Sequence, residues 1–269
     1  MSRRGLAIGA AAAAAALLYY RYITRVARGV NRLIAQSAAL HYSKDYEASL
    51  EAALEAVALS RGASDSNAQL AAMMQLAGVH AAQNDPSAAL PVLDESLALA
   101  EAAHGLESLS LVPILHAIAE VREASDEETI ASAALALGRA RDIRRACCGE
   151  DSLESSRASY NLATLLCRGS HEGGLDTERR AALIERIVRL TLEASVVASA
   201  AGEPDEAAEC VSAILELLED DPYEDEFVEP ARVQLRDAYR EAAGEDWVAV
   251  GGEDGPADEE SDEDENAGA

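Results

Sequence analysis

Arg21, Arg25, Arg28 and Arg32 step by four, three and four, and on a helix that spacing aligns four guanidinium groups in one cationic stripe. Ile23, Val26, Val30, Leu33 and Ile34 fall on the opposite side. The segment reads as a basic amphipathic helix, whose chemistry is attachment to anionic surfaces. Arg157, Asn161 and Arg168 form a second, smaller group on one helix and offer donors to the polar groups of a peptide. Catalytic signatures are absent. The histidines His41, His80, His104, His116 and His171 are scattered, and there is no HExxH, no phosphate-cradling glycine loop and no Gly-x-Ser-x-Gly. Cys147, Cys148, Cys167 and His171 include an i,i+4 Cys/His pair beside a vicinal pair, but CxxC spacing is missing. Buried structural thiols are the expectation, with no metal, no cofactor and no enzyme.

These groups must be positioned by helices, because the chain is punctuated at a helical-repeat period. Gly62, Gly105 and Gly149 fall 43 and 44 residues apart, and each is followed by an equivalent apolar pair, Leu76-Ala77, Ile118-Ala119 and Leu162-Ala163. Breaker clusters follow at Asn84-Asp85-Pro86, Ser125-Asp126 and Gly169-Ser170, so each unit reads as helix, turn, helix, glycine stop. Serines near 64–66, 108 and 152–155 supply restart caps. Leu90, Leu93, Leu97 and Ala100, and then Ile130, Ala134, Leu137 and Ala140, lie on one helical face and are core positions. Stacked hairpins bury one continuous core, and function then lies on the surface the stack presents. No stretch alternates apolar and polar residues long enough for a strand. Helices are expected at about 44–61, 66–83, 86–104, 107–124, 127–147, 152–168, 176–201, 204–219 and 224–243.

The stretch Leu76-Ala77-Gly78-Val79-His80-Ala81-Ala82-Gln83-Asn84-Asp85-Pro86-Ser87-Ala88-Ala89-Leu90, with Leu93 and Leu97, resembles the tetratricopeptide repeat family, in its long form of about 42 residues found in kinesin light chains. It also looks like one repeat of the anchored tetratricopeptide assembly factors of respiratory complex III. The resemblance implies an all-α, TPR-like solenoid over residues 37–243 that binds proteins or peptides. It departs from the family in lacking a Trp in each first helix and the closing Pro.

The two termini differ from this body. Residues 1–44 hold no acid but seven basic residues, and Gly5 to Tyr20 is an uncharged Ala-rich run. As a helix that run extends ~24 Å against a ~30 Å hydrocarbon core, so residues 1–36 read as a marginal membrane anchor or targeting segment, apolar at 5–20 and basic at 21–36. A mitochondrial membrane, outer or inner, is the expected destination. A secretory-pathway membrane, a plastid signal and a soluble cap helix stay open. From Gly244 to Ala269 there are 11 acids and no base, the composition of a solvated, disordered tail. Within it, Glu245-Asp246-Trp247-Val248-Ala249-Val250 resembles the short autophagy-adaptor-binding motif, which implies strand addition with Trp247 and Val250 in two pockets.

Charge selects among partners. Asp45 to Ala243 carries 38 acids against 15 Arg, so nucleic acid is repelled and basic or apolar peptides are admitted. Asn67 to Gln83 holds no Lys or Arg, which argues against a clamp for acidic peptide carboxylates. The expected function is a membrane-anchored scaffold or adaptor for protein partners, an assembly factor or receptor. The alternatives are a soluble or endomembrane cargo adaptor of the kinesin-light-chain type, or an organelle-autophagy adaptor.

Overall fold

The computed structural model describes residues 3–62, 65–125, 130–170, 175–219 and 227–244, with side chains described from residue 21 onward. Ten α-helices lie among the described residues: α1 (Arg3–Tyr42), α2 (Tyr46–Arg61), α3 (Ser66–Ala82), α4 (Pro86–His104), α5 (Val112–Glu123), α6 (Ile130–Cys148), α7 (Leu153–Ser170), α8 (Thr177–Ala200), α9 (Pro204–Glu219) and α10 (Val228–Ala243). A single 3-10 turn, Leu109–Leu111, leads into α5, and no strand occurs among the described residues. Each helix packs on the next, and α1 also touches α3, α7 touches α9, and α8 touches α10. The expected all-α solenoid is what forms, with α2 to α10 in the expected order and the main departure at α5, which begins at Val112 after the 3-10 turn instead of at 107.

The turns show how the sequence writes this architecture. Asp85 caps α4 by accepting from the Ala88 N–H at 3.0 Å, and Asn84 before it adopts φ 56°. Asp45 caps α2 from Ala48 at 3.3 Å, after Lys44 at φ 64°. Backbone bonds match as well: Asn84 N donates to Ala81 O and Asp85 N to His80 O, as Lys44 N does to His41 O and Asp45 N to Leu40 O. The two turns are equivalent and lie 40 residues apart.

The same shift of 40 superposes buried positions: Leu33 on Met73, Ser37 on Ala77, Ala53 on Leu93, Ser60 on Ala100. The second half of α1 is therefore the first helix of a repeat unit. The expected boundary between residues 36 and 37 falls inside α1. The apolar stripe assigned to a membrane instead packs on protein, with Val26, Val30 and Leu33 in one core with Ala53, Val57, Met73 and Leu76. Two serines lock this junction. Ser37 Oγ donates to Ser49 O at 2.9 Å, Ser49 Oγ donates to Ser37 O at 2.8 Å, and Gln75 Nε2 donates to Ser37 Oγ at 3.1 Å. Both serines are fully buried, and their small size brings α1 and α2 together without orphaning a hydroxyl.

The larger core runs from Ala77 to Leu235 through Leu93, Ile118, Leu162, Ile187 and Ile214. Burying each large aliphatic side chain contributes about 1.5–3 kcal/mol. Gly105 and Gly149 stop α4 and α6 at φ 88° and 96°, a region that side chains avoid. Gly62, at φ −75°, needs no glycine. Ser108 and Ser152 cap as expected, accepting from Ser110 N and Ser155 N. At the restart before α3 the cap is Asp65, which accepts from Asn67 N and Ala68 N, and its carboxylate also meets the positive helix end.

Among the described residues no helix is long and apolar enough to cross a membrane. The Gly5–Tyr20 run is the first half of α1, and its apolar residues are mostly alanine. The span expected there is not found.

Candidate peptide-binding groove

Two clefts open between successive first helices of the hairpins. The first, about 230 Å³, lies between α3 and α5, with Met74, Ala77, Gly78 and Ala81 on one wall and Ala117, Val121 and Ala124 on the other. Leu93 of α4 lies at its base, and Glu120 supplies an acid at its edge. The small residues Ala77, Gly78, Ala81, Ala117 and Ala124 on the two walls leave the space between the helices unfilled. A Cβ added at Gly78 would meet nothing within 4 Å, so the cleft is open at that point.

The second cleft, about 330 Å³, lies between α5 and α7 and is more polar. His116, Glu120 and Glu123 face Tyr160, Asn161, Thr164 and Arg168 across it. Glu120 borders both clefts, so an acid stands where one passes into the other. Burial, helped by the Arg144 charge, pushes the His116 imidazole below its ordinary value. His116 Nε2 is buried with no hydrogen-bond partner among the described residues. Burial also raises the Tyr160 phenol. The cleft is thus lined by the Asn161 amide and the Tyr160 and Thr164 hydroxyl side chains, groups of the kind that recognise peptide backbone, while His116 Nε2 stays buried behind them.

Of the three residues expected to touch a peptide, the structure brings Asn161 and Arg168 into the second cleft. Arg168 Nη1 pairs with Glu123 of α5 at 2.7 Å. Arg157 lies elsewhere: its guanidinium forks onto both oxygens of Glu206 of α9, at 2.7 Å each. The bond from Arg157 holds the Glu206 carboxyl below its usual range. Both arginines therefore tie α7 to its neighbours. Sequence spacing places two cations on one helix but is blind to the acids opposite. A missed pair of the same kind is Arg141 and Arg145 of α6, which converge on Glu193 of α8 at 2.8 and 2.6 Å.

Arg21, Arg25, Arg28 and Arg32 all lie exposed along α1, opposite its buried face. Arg25, Arg28 and Arg32 line an open groove with Tyr22, Val26, Gly29 and Leu59 of α2. Trp247, Val250 and the whole of 245–269 lie outside the described residues, as does His171. Among the described residues no three His, Cys, Asp or Glu side chains cluster as a metal site. The cysteines differ from expectation. Cys167 and Cys210 are buried, and burial raises the Cys210 thiol to about 11, but Cys147 and Cys148 are exposed at the end of α6, with Cys147 Sγ donating to Glu107 O. They sit in the last turn, beyond the stripe that ends at Ile143.

No known family pattern matches the chain, and no curated protein does. Solved structures do. A putative kinesin light chain of Podosopora anserina, with nearly identical TPR-like repeats, aligns at a TM-score of 0.59 and 13% identity, over 80% of this chain and 97% of its own. BtubC (BKLC) from P. vanneervenii aligns at 0.52 and 16%, over 84% and 95%. Nothing in these comparisons supports the likeness to a complex III assembly factor. At such identities the likeness shows the fold alone, and that fold is a TPR-like α-solenoid.

Proposed function

We propose that the chain is a scaffold that holds a protein partner by an extended segment laid along α3, α5 and α7. The observation that carries this reading is the open apolar cleft between α3 and α5, with Glu120 at its junction with the polar one. An aliphatic side chain fits the first cleft, a Lys or Arg beside it meets Glu120, and the peptide backbone meets Asn161. The strongly acidic body supports a basic or apolar partner and disfavours nucleic acid. Peptide arrays on the full chain test this. Glu120→Lys should weaken capture of basic peptides by about tenfold, about 1.4 kcal/mol, and Gly78→Leu should block the apolar anchor. Preferential capture of acidic peptides with free C-terminal carboxylates would overturn the reading and point to Arg168.

We further propose attachment to a mitochondrial membrane through residues 1–20, with the cytosolic or matrix side carrying the solenoid. The uncharged run followed by arginines supports it. With Val26, Val30 and Leu33 committed to the core, only the cationic side of residues 21–36 is available to a bilayer. A tagged chain lacking residues 1–20 should become diffuse while the full chain is mitochondrial. A full chain that enters the secretory pathway, or is itself diffuse, favours the endomembrane or kinesin-light-chain-type adaptor reading.

A further inference from the structure

We infer that the cationic face of α1 is the intramolecular docking surface for the acidic end of this chain, residues 258–265. At least ten arginines further along form ion pairs with a carboxylate. Arg21, Arg25, Arg28 and Arg32 have no carboxylate within 4 Å among the described residues, and the only hydrogen bond any of their side chains makes is from Arg28 Nε to Thr24 O. Among the described residues they are the longest run of cations without a carboxylate partner, and three of them border a groove of about 740 Å³; Arg186 and Arg189 of α8 are a shorter pair of the same kind. The groove is shaped for a chain. A Cβ on Gly29 would stand 2.9 Å from Leu59 Cδ2, so the absence of one lets α2 close the floor while Arg25, Arg28 and Arg32 form its wall.

Asp258-Glu259-Glu260-Ser261-Asp262-Glu263-Asp264-Glu265 carries seven acids in eight residues. The four arginines extend over ~16 Å of helix, and an extended octapeptide covers ~26 Å, so the charges can run alongside one another. The rest of the surface repels this segment, since the body between Asp45 and Ala243 is itself strongly acidic. Reach permits the contact. α1 and α10 stand at opposite ends of a stack of five hairpins, on the order of 40 Å apart at 8–10 Å per layer. The 14 residues from Gly244 to Asp258 extend to ~46 Å, and their own acids favour extension.

The test uses the 15N-labelled full chain, comparing amide signals of residues 258–265 with those of a free 245–269 peptide. At about 0.1 M salt they should be shifted and broadened, and at about 1 M, where the Debye length falls from ~10 Å to ~3 Å, they should return to the peptide positions. The same return is expected at low salt when Arg21, Arg25, Arg28 and Arg32 are all changed to Gln, on an exposed face that leaves the core untouched. Conversely, amidating the seven acids should move signals of residues 21–32 and leave the other helices unchanged. Tenfold dilution should change nothing. Peptide-like signals at low salt, indifference to the arginine changes, or loss of the shift on dilution, which marks the tail of a second copy, would each overturn the proposal.

Discussion

Arg28 on α1 and Arg168 on α7 are both exposed guanidiniums on helices of one solenoid, yet they do opposite work. Arg168 reaches Glu123 on the neighbouring helix at 2.7 Å, and Arg157 on the same helix grips Glu206. Arg28 reaches only the carbonyl one turn back in its own helix. What separates them is what lies opposite. Around α7 the chain is dense in acids, so each cation ties layers together; around α1 no acid is present before Asp45. A cation is free to recognise a ligand only where the fold has not already neutralised it. By that criterion α7 contributes mainly Asn161 to a groove, and α1 contributes a charged face.

The sharpest way to break this contrast is to remove α1 in two steps. Deleting residues 1–20 should leave the melting of the solenoid unchanged. Deleting 1–36 strips Val26, Val30 and Leu33 from their core with Met73 and Leu76, and should lower stability by several kcal/mol, at about 1.5–3 kcal/mol per large side chain lost. Thermal unfolding followed by circular dichroism reads both. Equal melting of the two deletions would mean that the second half of α1 is a separable targeting segment after all. Within the larger core, Leu93→Ala should cost about 2–5 kcal/mol, because Leu93 is fully buried between repeat layers.

That difference also shows what the sequence made legible. Periodic Ala and Leu faces, glycine stops and Asx caps place nine helices within a few residues, because those signals are local. The role of α1 was hidden for a physical reason: a basic amphipathic helix presents the same pattern whether its apolar stripe faces lipid or a neighbouring helix. The clue lay in the Lys44-Asp45 turn, 40 residues before Asn84-Asp85, where a lysine replaces the asparagine at the positive-φ position. The groove was less legible still. Asn161 could be nominated from its helix, but the open space beside Gly78 and the placement of Glu120 between two clefts depend on how far apart α3, α5 and α7 stand, which no spacing along the chain encodes.

A smaller effect tests the neutralisation directly. In a double-mutant cycle, Arg168→Ala with Glu123→Ala should give a coupling of about 0.2–1 kcal/mol, the range for exposed pairs, falling as salt rises. Arg28→Ala should leave stability unchanged within error, since no acid is left unpaired. A cost at Arg28 equal to that at Arg168 would erase the distinction between tying and free cations.

The finest test concerns His116, the one imidazole in the polar cleft. Its folded-state value lies below the ordinary 6.5, because burial and the Arg144 charge both disfavour the imidazolium. The unfolded chain therefore binds this proton more readily than the folded one, and stability rises with pH across that interval. The contribution of a neutral His116 is fully present above about 6.5 and is lost as pH falls toward the folded value. Acidification also relieves the repulsion of a chain with formal net charge −27, which acts in the opposite direction and masks the effect in wild type alone. Comparison with His116→Gln removes that background, since both proteins share every carboxylate. Between pH 7 and 5 the wild type should lose stability relative to the variant. Parallel pH profiles for the two proteins would place the imidazole in solvent and remove it from the groove.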